Sequence, residues 1–204
     1  MDEKLQYILD MYPDAKCELI YNNLFELLIA VSLSAQTTDK RVNQCTPILF
    51  NKYKTIKDLA YADLNDVKEI IKPIGMTNTK AKNIISIAKI IHEQYNDTVS
   101  DNINELIKLP GVGTKTINVM LAEGFKIPAL PVDTHVNRVA KRLKLAFLKD
   151  DVEEVERKLK KKIPEHLWIQ MHHSMIFFGR YFCKAVSPSC MKCQLKGKCR
   201  VNYK

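Results

Sequence analysis

Apolar residues recur at helical spacing along the whole chain, and nowhere do they alternate over a useful length as a half-buried strand requires. Leu5, Ile8 and Leu9 share one face of a short helix over 2–11, with Pro13 as its stop. Leu24, Leu27, Leu28, Val31 and Ala35 make a strongly apolar face that predicts the centre of a core. Further helical windows fall at 56–61, 64–71, 81–95, 152–162 and 166–181, separated by turn signals such as Pro73-Ile-Gly-Met-Thr77. With no internal repeat or low-complexity tract, helices joined by short polar loops predict an all-α fold.

Glycine is scarce, only 6 in 204 residues, so a pair flanking one valine stands out in Leu109-Pro-Gly-Val-Gly-Thr-Lys-Thr-Ile-Asn-Val119. Ile103, Leu106 and Ile107 before it, behind an Asp101 cap, and Ile117, Met120 and Leu121 after it, read as helix, tight hairpin, helix. Positive φ at Gly111 and Gly113 would aim successive N–H groups outward at the start of the second helix, where the dipole favours an anion such as phosphate. Lys115 stands where that dipole least favours an ammonium, the bias an amine needs to act as a nucleophile. Alone, a G-x-G is a common turn and Lys115 an ordinary solvated lysine.

The other polar features also have plain readings. Residues 34–39 (SAQTTD) are either a cap, with Thr38 or Asp39 opening a helix through Val42 and Ile48, or the lip of a site. Gly124 can end the second hairpin helix, and Pro128 and Pro131 enforce an extended crossing at a plausible domain boundary. Asp133 then heads a helix through Val136, Val139 and Leu143, as an N-cap or as a chemical group; the two roles are compatible. His172 and His173 are adjacent, so at most one faces any given site, and neither is assigned a catalytic role.

Four of the six cysteines fall near the C-terminus as Cys183-x6-Cys190-x2-Cys193-x5-Cys199. The chain opens Met-Asp-Glu-Lys without an export signal, so disulfides are disfavoured and one metal site is the natural reading, zinc or iron–sulfur. Its single short knuckle and two wider gaps match zinc poorly, although spacing does not decide between the metals. Cys17 and Cys45 stand apart in helical contexts as buried, inert thiols. The longest apolar run is interrupted by Glu26 and falls far short of the ~20 residues of a membrane span, which predicts a cytoplasmic protein, nucleoid-associated if bacterial. A net charge of +9, with 32 Lys+Arg against 23 Asp+Glu, favours a polyanionic partner.

Three separated features then coincide: the hairpin LPGVGTKT with Lys115, the segment PVDTH with Asp133, and the C-x6-C-x2-C-x5-C tail. Together they resemble the endonuclease III family of DNA glycosylases within the helix-hairpin-helix superfamily. YNNLFELLIAVSLSAQTTDKRVN and PIGMTNTKAKNI extend the likeness over nearly the whole chain. The resemblance implies two all-α lobes with a cleft between them: residues 17–127 as a six-helix lobe holding the hairpin, and residues 1–16 plus 128–204 as a lobe carrying a 4Fe-4S cluster. It makes Lys115 the catalytic lysine, Asp133 the catalytic aspartate, and Cys183, Cys190, Cys193 and Cys199 the cluster ligands.

Gln36 matches a glutamine that fills the gap left by a flipped nucleotide. Met76 lies in a loop that supplies an apolar wedge, where the family has leucine. With Gly111, Val112, Gly113 and Thr114 these complete the expected DNA-binding set.

The implied activity is removal of oxidised or ring-damaged pyrimidines from double-stranded DNA and nicking of the abasic strand, by a chain taken as a monomer. Lys115 separates this from the related mismatch glycosylases, whose lysine position holds other residues. A non-catalytic DNA-binding module is the competing class. The family's basic loop between the first two cysteines is reduced here to KAVSPS with Lys184 alone, so Lys192, Lys196, Lys198 and Arg200 are the candidates to supply that charge.

Overall fold

Short polar side chains open most of the longer helices. Asp2, Asn23, Thr38, Thr55, Asp63, Asp133 and Asp151 each stand in extended backbone and accept an N–H from the first turn of the helix that follows. The computed structural model describes residues 1–201, and among them no strand occurs. In chain order the helices are α1 (Glu3–Met11), α2 (Leu24–Leu33), α3 (Asp39–Lys52), α4 (Ile56–Ala60), α5 (Leu64–Ile70), α6 (Thr77–Gln94), α7 (Ile103–Leu106), α8 (Thr114–Val119), α9 (Thr134–Arg142), α10 (Val152–Lys160) and α11 (Trp168–Phe177). The all-α expectation holds. No described helix is long and apolar enough to cross a membrane.

The chain divides into two compact units, Glu18–Phe125 and the pair Met1–Cys17 with Lys126 onward. In the first, α2 is apolar on nearly every side: Leu27, Leu28, Ile29, Ala30 and Leu33 are fully buried, as a helix at the centre of a core must be. It packs on α3, α6 and α8. The stripe of α6 follows the helical period through Lys80, Ala81, Ile84, Ile87, Ala88 and Ile91, all buried, and one of them is a lysine. In the second unit Leu5 and Ile8 of α1 join Val136, Val139, Leu143, Val155, Leu159, Met171, Met175 and Phe178 in one apolar cluster.

Two helices end in a wider turn. α8 runs into a π-helical turn, Met120–Gly124, closed by Phe125 N–H on the Met120 carbonyl. α11 runs into another, Phe178–Phe182, closed by Cys183 N–H on the Phe178 carbonyl at 2.6 Å.

Several local expectations are corrected. Asn102, not Asp101, caps α7, its side chain accepting from Asn104 N–H; either residue has the chemistry, and Asn102 is adjacent to the first helical turn. Ile103 and Ile107 are about half exposed, and only Leu106 of that trio is buried, because α7 is a single turn and presents one residue to the core. Ile48 is exposed on α3, whose buried positions are Val42, Cys45, Thr46 and Leu49. Cys17 lies outside any helix and is only half-buried; Cys45 alone is a buried helical thiol, and burial raises its pKa.

Candidate active site and nucleic-acid interface

In the hairpin, Pro110 and Gly111 turn the chain between α7 and α8. Gly111 takes φ +75°, open to glycine and strained for other residues. Gly113 does not: at φ −111° and ψ 179° it is the extended N-cap of α8, a geometry any residue adopts. A Cβ at position 113 would meet nothing within 4 Å, so the glycine leaves open backbone rather than relieving strain. Val112 turns its side chain inward, 6% exposed, and its N–H is spent on the Leu109 carbonyl.

The expectation of a continuous run of outward donors is therefore corrected at Val112. Among the described bonds nothing accepts the N–H of Gly113, Thr114 or Lys115, and no side chain caps α8. These donors at a helix start suit an anion. Lys115, the second residue of α8, is exposed.

In the same unit, Gln36 and Met76 share an unusual backbone. Both are exposed, and both are non-glycine residues in the left-handed region, at φ 56° and φ 52°. Gln36 ends the turn after α2; Met76 follows Gly75, itself at φ +70°, and is the N-cap of α6 without a side-chain cap bond. Long side chains held at left-handed positions are costly by about 1–2 kcal/mol each, and such strain collects at functional loops.

In the second unit, Asp133 is half-buried at the head of α9, and its Oδ1 accepts Val136 N–H at 2.8 Å. The cap reading holds, and no described hydrogen bond occupies the other carboxylate oxygen. Behind it, His172 Nδ1 lies 2.8 Å from the Pro131 carbonyl, tying α11 to the crossing that carries Asp133. His172 and His173 are both buried, so neither is a surface ligand. Arg138 Nη2 donates to the Gly179 carbonyl at 2.7 Å and lies 3.3 Å from His135 Nδ1. Burial lowers the pKa of His135; the Asp133 charge opposes that shift, and the charges of Arg138 and Arg180 add to it.

The four C-terminal cysteines are free and partly buried. Cys183, Cys193 and Cys199 pack against the apolar cluster of the unit. Burial raises the thiols of Cys190 and Cys193; Cys183 and Cys199 add to the rise at Cys190, and Cys183, Cys190 and Cys199 add to it at Cys193. No group of three or more His, Cys, Asp or Glu among the described residues stands at single-ion spacing.

One arginine that sequence reasoning did not single out, Arg142, organises the loop after Cys183, and Arg200 fastens the tail to the end of α9. Arg142, the last residue of α9, donates to the carbonyls of Cys183 at 3.3 Å, Lys184 at 2.6 Å and Ala185 at 3.0 Å, and reaches Cys183 Sγ at 3.5 Å. Arg200 returns its N–H to the Arg142 carbonyl and its guanidinium to the carbonyls of Lys141 and Ala146. Arg200 is thus a staple rather than a free surface charge, and Lys198 pairs with Glu3 at 2.8 Å. The place of Arg142 at a helix C-terminus gave no signal of this role, because its guanidinium serves carbonyls of a segment distant in sequence rather than those of its own helix.

Comparison with known proteins identifies the family and the fold. Residues 29–165 match the family described as HhH-GPD superfamily base excision DNA repair protein. The chain is 50% identical over 200 residues to Endonuclease III of Bacillus subtilis (strain 168), covering 98% of this chain and 91% of that one. It is similar to a solved non-covalent Endonuclease III–DNA complex, with TM-score 0.94, 48% identity and coverage of 97% and 92%. A trapped Endonuclease III–DNA covalent intermediate matches with TM-score 0.92, 49% identity and coverage of 96% and 92%. With its hairpin, its capping aspartate and its cysteine tail in that order, the chain belongs to the endonuclease III family of DNA glycosylase/AP lyases, within the HhH-GPD superfamily of base excision DNA repair proteins.

Proposed function

We propose that this glycosylase and lyase removes oxidised or ring-damaged pyrimidines from double-stranded DNA, with Lys115 as nucleophile and Asp133 as its electrostatic partner. The observation that carries the assignment is Lys115, an exposed amine one residue into a helix whose leading N–H groups are unclaimed, so that phosphate and nucleophile are served by the same turn.

A damaged nucleotide leaves the stack at a cost of a few kcal/mol, smaller for a poorly stacked base. Lys115 Nζ attacks C1′ as the C1′–N bond breaks, and the departing base carries off that electron pair and takes a proton. The free oxygen of Asp133 stabilises the positive charge that develops on the sugar and accepts the proton the amine sheds. The sugar ring opens to a Schiff base, which acidifies the C2′ proton; loss of that proton expels the 3′ phosphate and nicks the strand. Hydrolysis of the imine then frees Lys115.

Gln36 fills the space vacated by the nucleotide and Met76 wedges the stack, a role its length and apolarity suit. Gly113 and Thr114 present free backbone N–H groups to the phosphates, Gly111 sets the turn that exposes them, and Val112 holds that turn through its packing and its own N–H on the Leu109 carbonyl. The units ending at Phe125 and beginning at Lys126 supply the two catalytic groups separately.

Cys183, Cys190, Cys193 and Cys199 are the ligands of a 4Fe-4S cluster. Four thiols in mutual reach, three of them against an apolar core, are a donor set suited to such a cluster. When bound it ties the tail to the unit; the glycosylase and lyase steps need no electron transfer from it.

Borohydride reduction in the presence of thymine glycol duplex should trap wild-type protein on DNA and leave Lys115→Gln untrapped. An adduct that persists in folded Lys115→Gln would dismiss this lysine as nucleophile. A strand left abasic but intact would instead favour a monofunctional glycosylase.

A further inference from the structure

Among the described residues Lys80 is the one buried lysine or arginine, 5% exposed within the apolar stripe of α6. An ammonium is out of place there twice over. It is removed from water, which lowers its pKa, and it sits in the opening turns of a helix, at the positive end of the dipole. Leucine or isoleucine would suit the stripe better, so the reason for a lysine lies in what its nitrogen touches.

Its Nζ donates to the Ile74 carbonyl at 3.3 Å, and its own backbone N–H donates to the Met76 carbonyl at 3.0 Å. One residue therefore ties the chain on both sides of the strained pair Gly75–Met76, whose φ angles are +70° and +52°. The remaining described ties are local, Ile74 N–H on the Ile71 carbonyl at 3.1 Å and Gly75 N–H on the Lys72 carbonyl at 3.3 Å, both of the short 3-10 turn Lys72–Ile74 and neither reaching α6. Met76 itself projects 55% exposed.

We infer that Lys80 is a positioning residue, one that holds Met76 in its left-handed, outstretched conformation so that it can enter a base stack without its backbone yielding. The inference rests on the reading of Met76 as the wedge. A side chain that must separate stacked bases works against a few kcal/mol, and a loop free to relax from a strained φ would give way first.

The test uses the full chain and two DNA substrates: a fully paired thymine glycol duplex, which must be opened, and a single-stranded abasic oligonucleotide, which has no stack to open. Lys80→Met removes the nitrogen and keeps the length. Its kcat/KM on the duplex should fall ~10-fold or more, while nicking of the single strand changes less than ~2-fold, consistent with loss of part of the unstacking work. 2-Aminopurine fluorescence beside the lesion should rise on binding of wild type and stay low with the variant.

The ratio of the two activities is independent of the folded fraction, so Lys80→Gln serves by the same measure if Lys80→Met folds poorly. In a Met76→Ala background, Lys80→Met should cost nothing further on the duplex. Equal losses on both substrates, or a full additional loss in the Met76→Ala background, would overturn the role of Lys80. Unchanged duplex activity in Met76→Ala alone would overturn the wedge reading beneath it.

Discussion

The side-chain nitrogen of Asn83 stands where a β-carbon on Gly111 would come, so α6 closes against the hairpin at a point where a side chain could enter only if Asn83 moved. Gly111→Ala meets two costs: the left-handed φ of +75° and this contact. The variant should lose about 1–2 kcal/mol in urea denaturation, chiefly from the backbone. Because the obstructing atom ends a flexible side chain, adding Asn83→Ala should recover only the contact's share. Full recovery would place the whole cost in the clash.

Asp133 serves as cap and as charge, and two substitutions separate the roles. Asn caps as well as Asp, so Asp133→Asn should leave thermal stability nearly unchanged while base release slows by ~10²-fold or more. Asp133→Ala should show the same slowing together with a loss of about 1 kcal/mol, read from denaturation curves beside single-turnover rates. An active Asp133→Asn would confine this residue to capping Val136 N–H.

Arg142 bonds the carbonyls of three successive residues beginning at Cys183. Arg142→Ala should free the Lys184 and Ala185 carbonyls, loosen that loop and lower the iron retained per chain after gel filtration with a chelator. Arg142→Lys should rescue little, since one ammonium does not span the acceptors that a guanidinium fork reaches. Iron content and the visible absorbance of the purified protein are the measurements; undiminished iron in Arg142→Ala would limit the arginine to tail packing.

His135 gives a pH dependence whose sign is fixed. Burial holds its folded pKa below the 6.5 of a free imidazole, so as pH falls the unfolded chain binds the proton first. The corresponding stabilisation is whole above pH 6.5 and drains away as pH falls below it toward the lowered value. Of the charged groups around the ring, Asp133 works against the shift while Arg138 and Arg180 work with it. Urea midpoints measured from pH 7.5 to 5 should fall less steeply for His135→Gln than for wild type.

Helix positions, the core role of α2, the Thr38 cap and the Asp133 cap were legible because each depends on residues near in sequence. Lys115 and the cysteine spacing were legible as patterns, and their meaning came from resemblance rather than from periodicity. What escaped depends on depth and on partners distant in sequence. Ile48, Ile103 and Ile107 have core chemistry at surface positions. Lys80 falls within the core stripe of α6 yet reads as one more surface lysine until Ile74 is seen beneath it. Arg200 counted as surface charge until its carbonyl acceptors on the far side of the chain were known. The extended Gly113 and the widened turns after α8 and α11 leave no mark in composition.

The π turn at Phe178–Phe182 makes length, rather than composition, the guarded property of that stretch. It accommodates one residue beyond the ordinary helical repeat, so deleting a single position would turn the wide closure of Cys183 N–H on the Phe178 carbonyl into an ordinary α-helical one. Conservative substitutions there are absorbed by packing; a one-residue deletion removes the wide turn from which the chain passes into the cysteine tail.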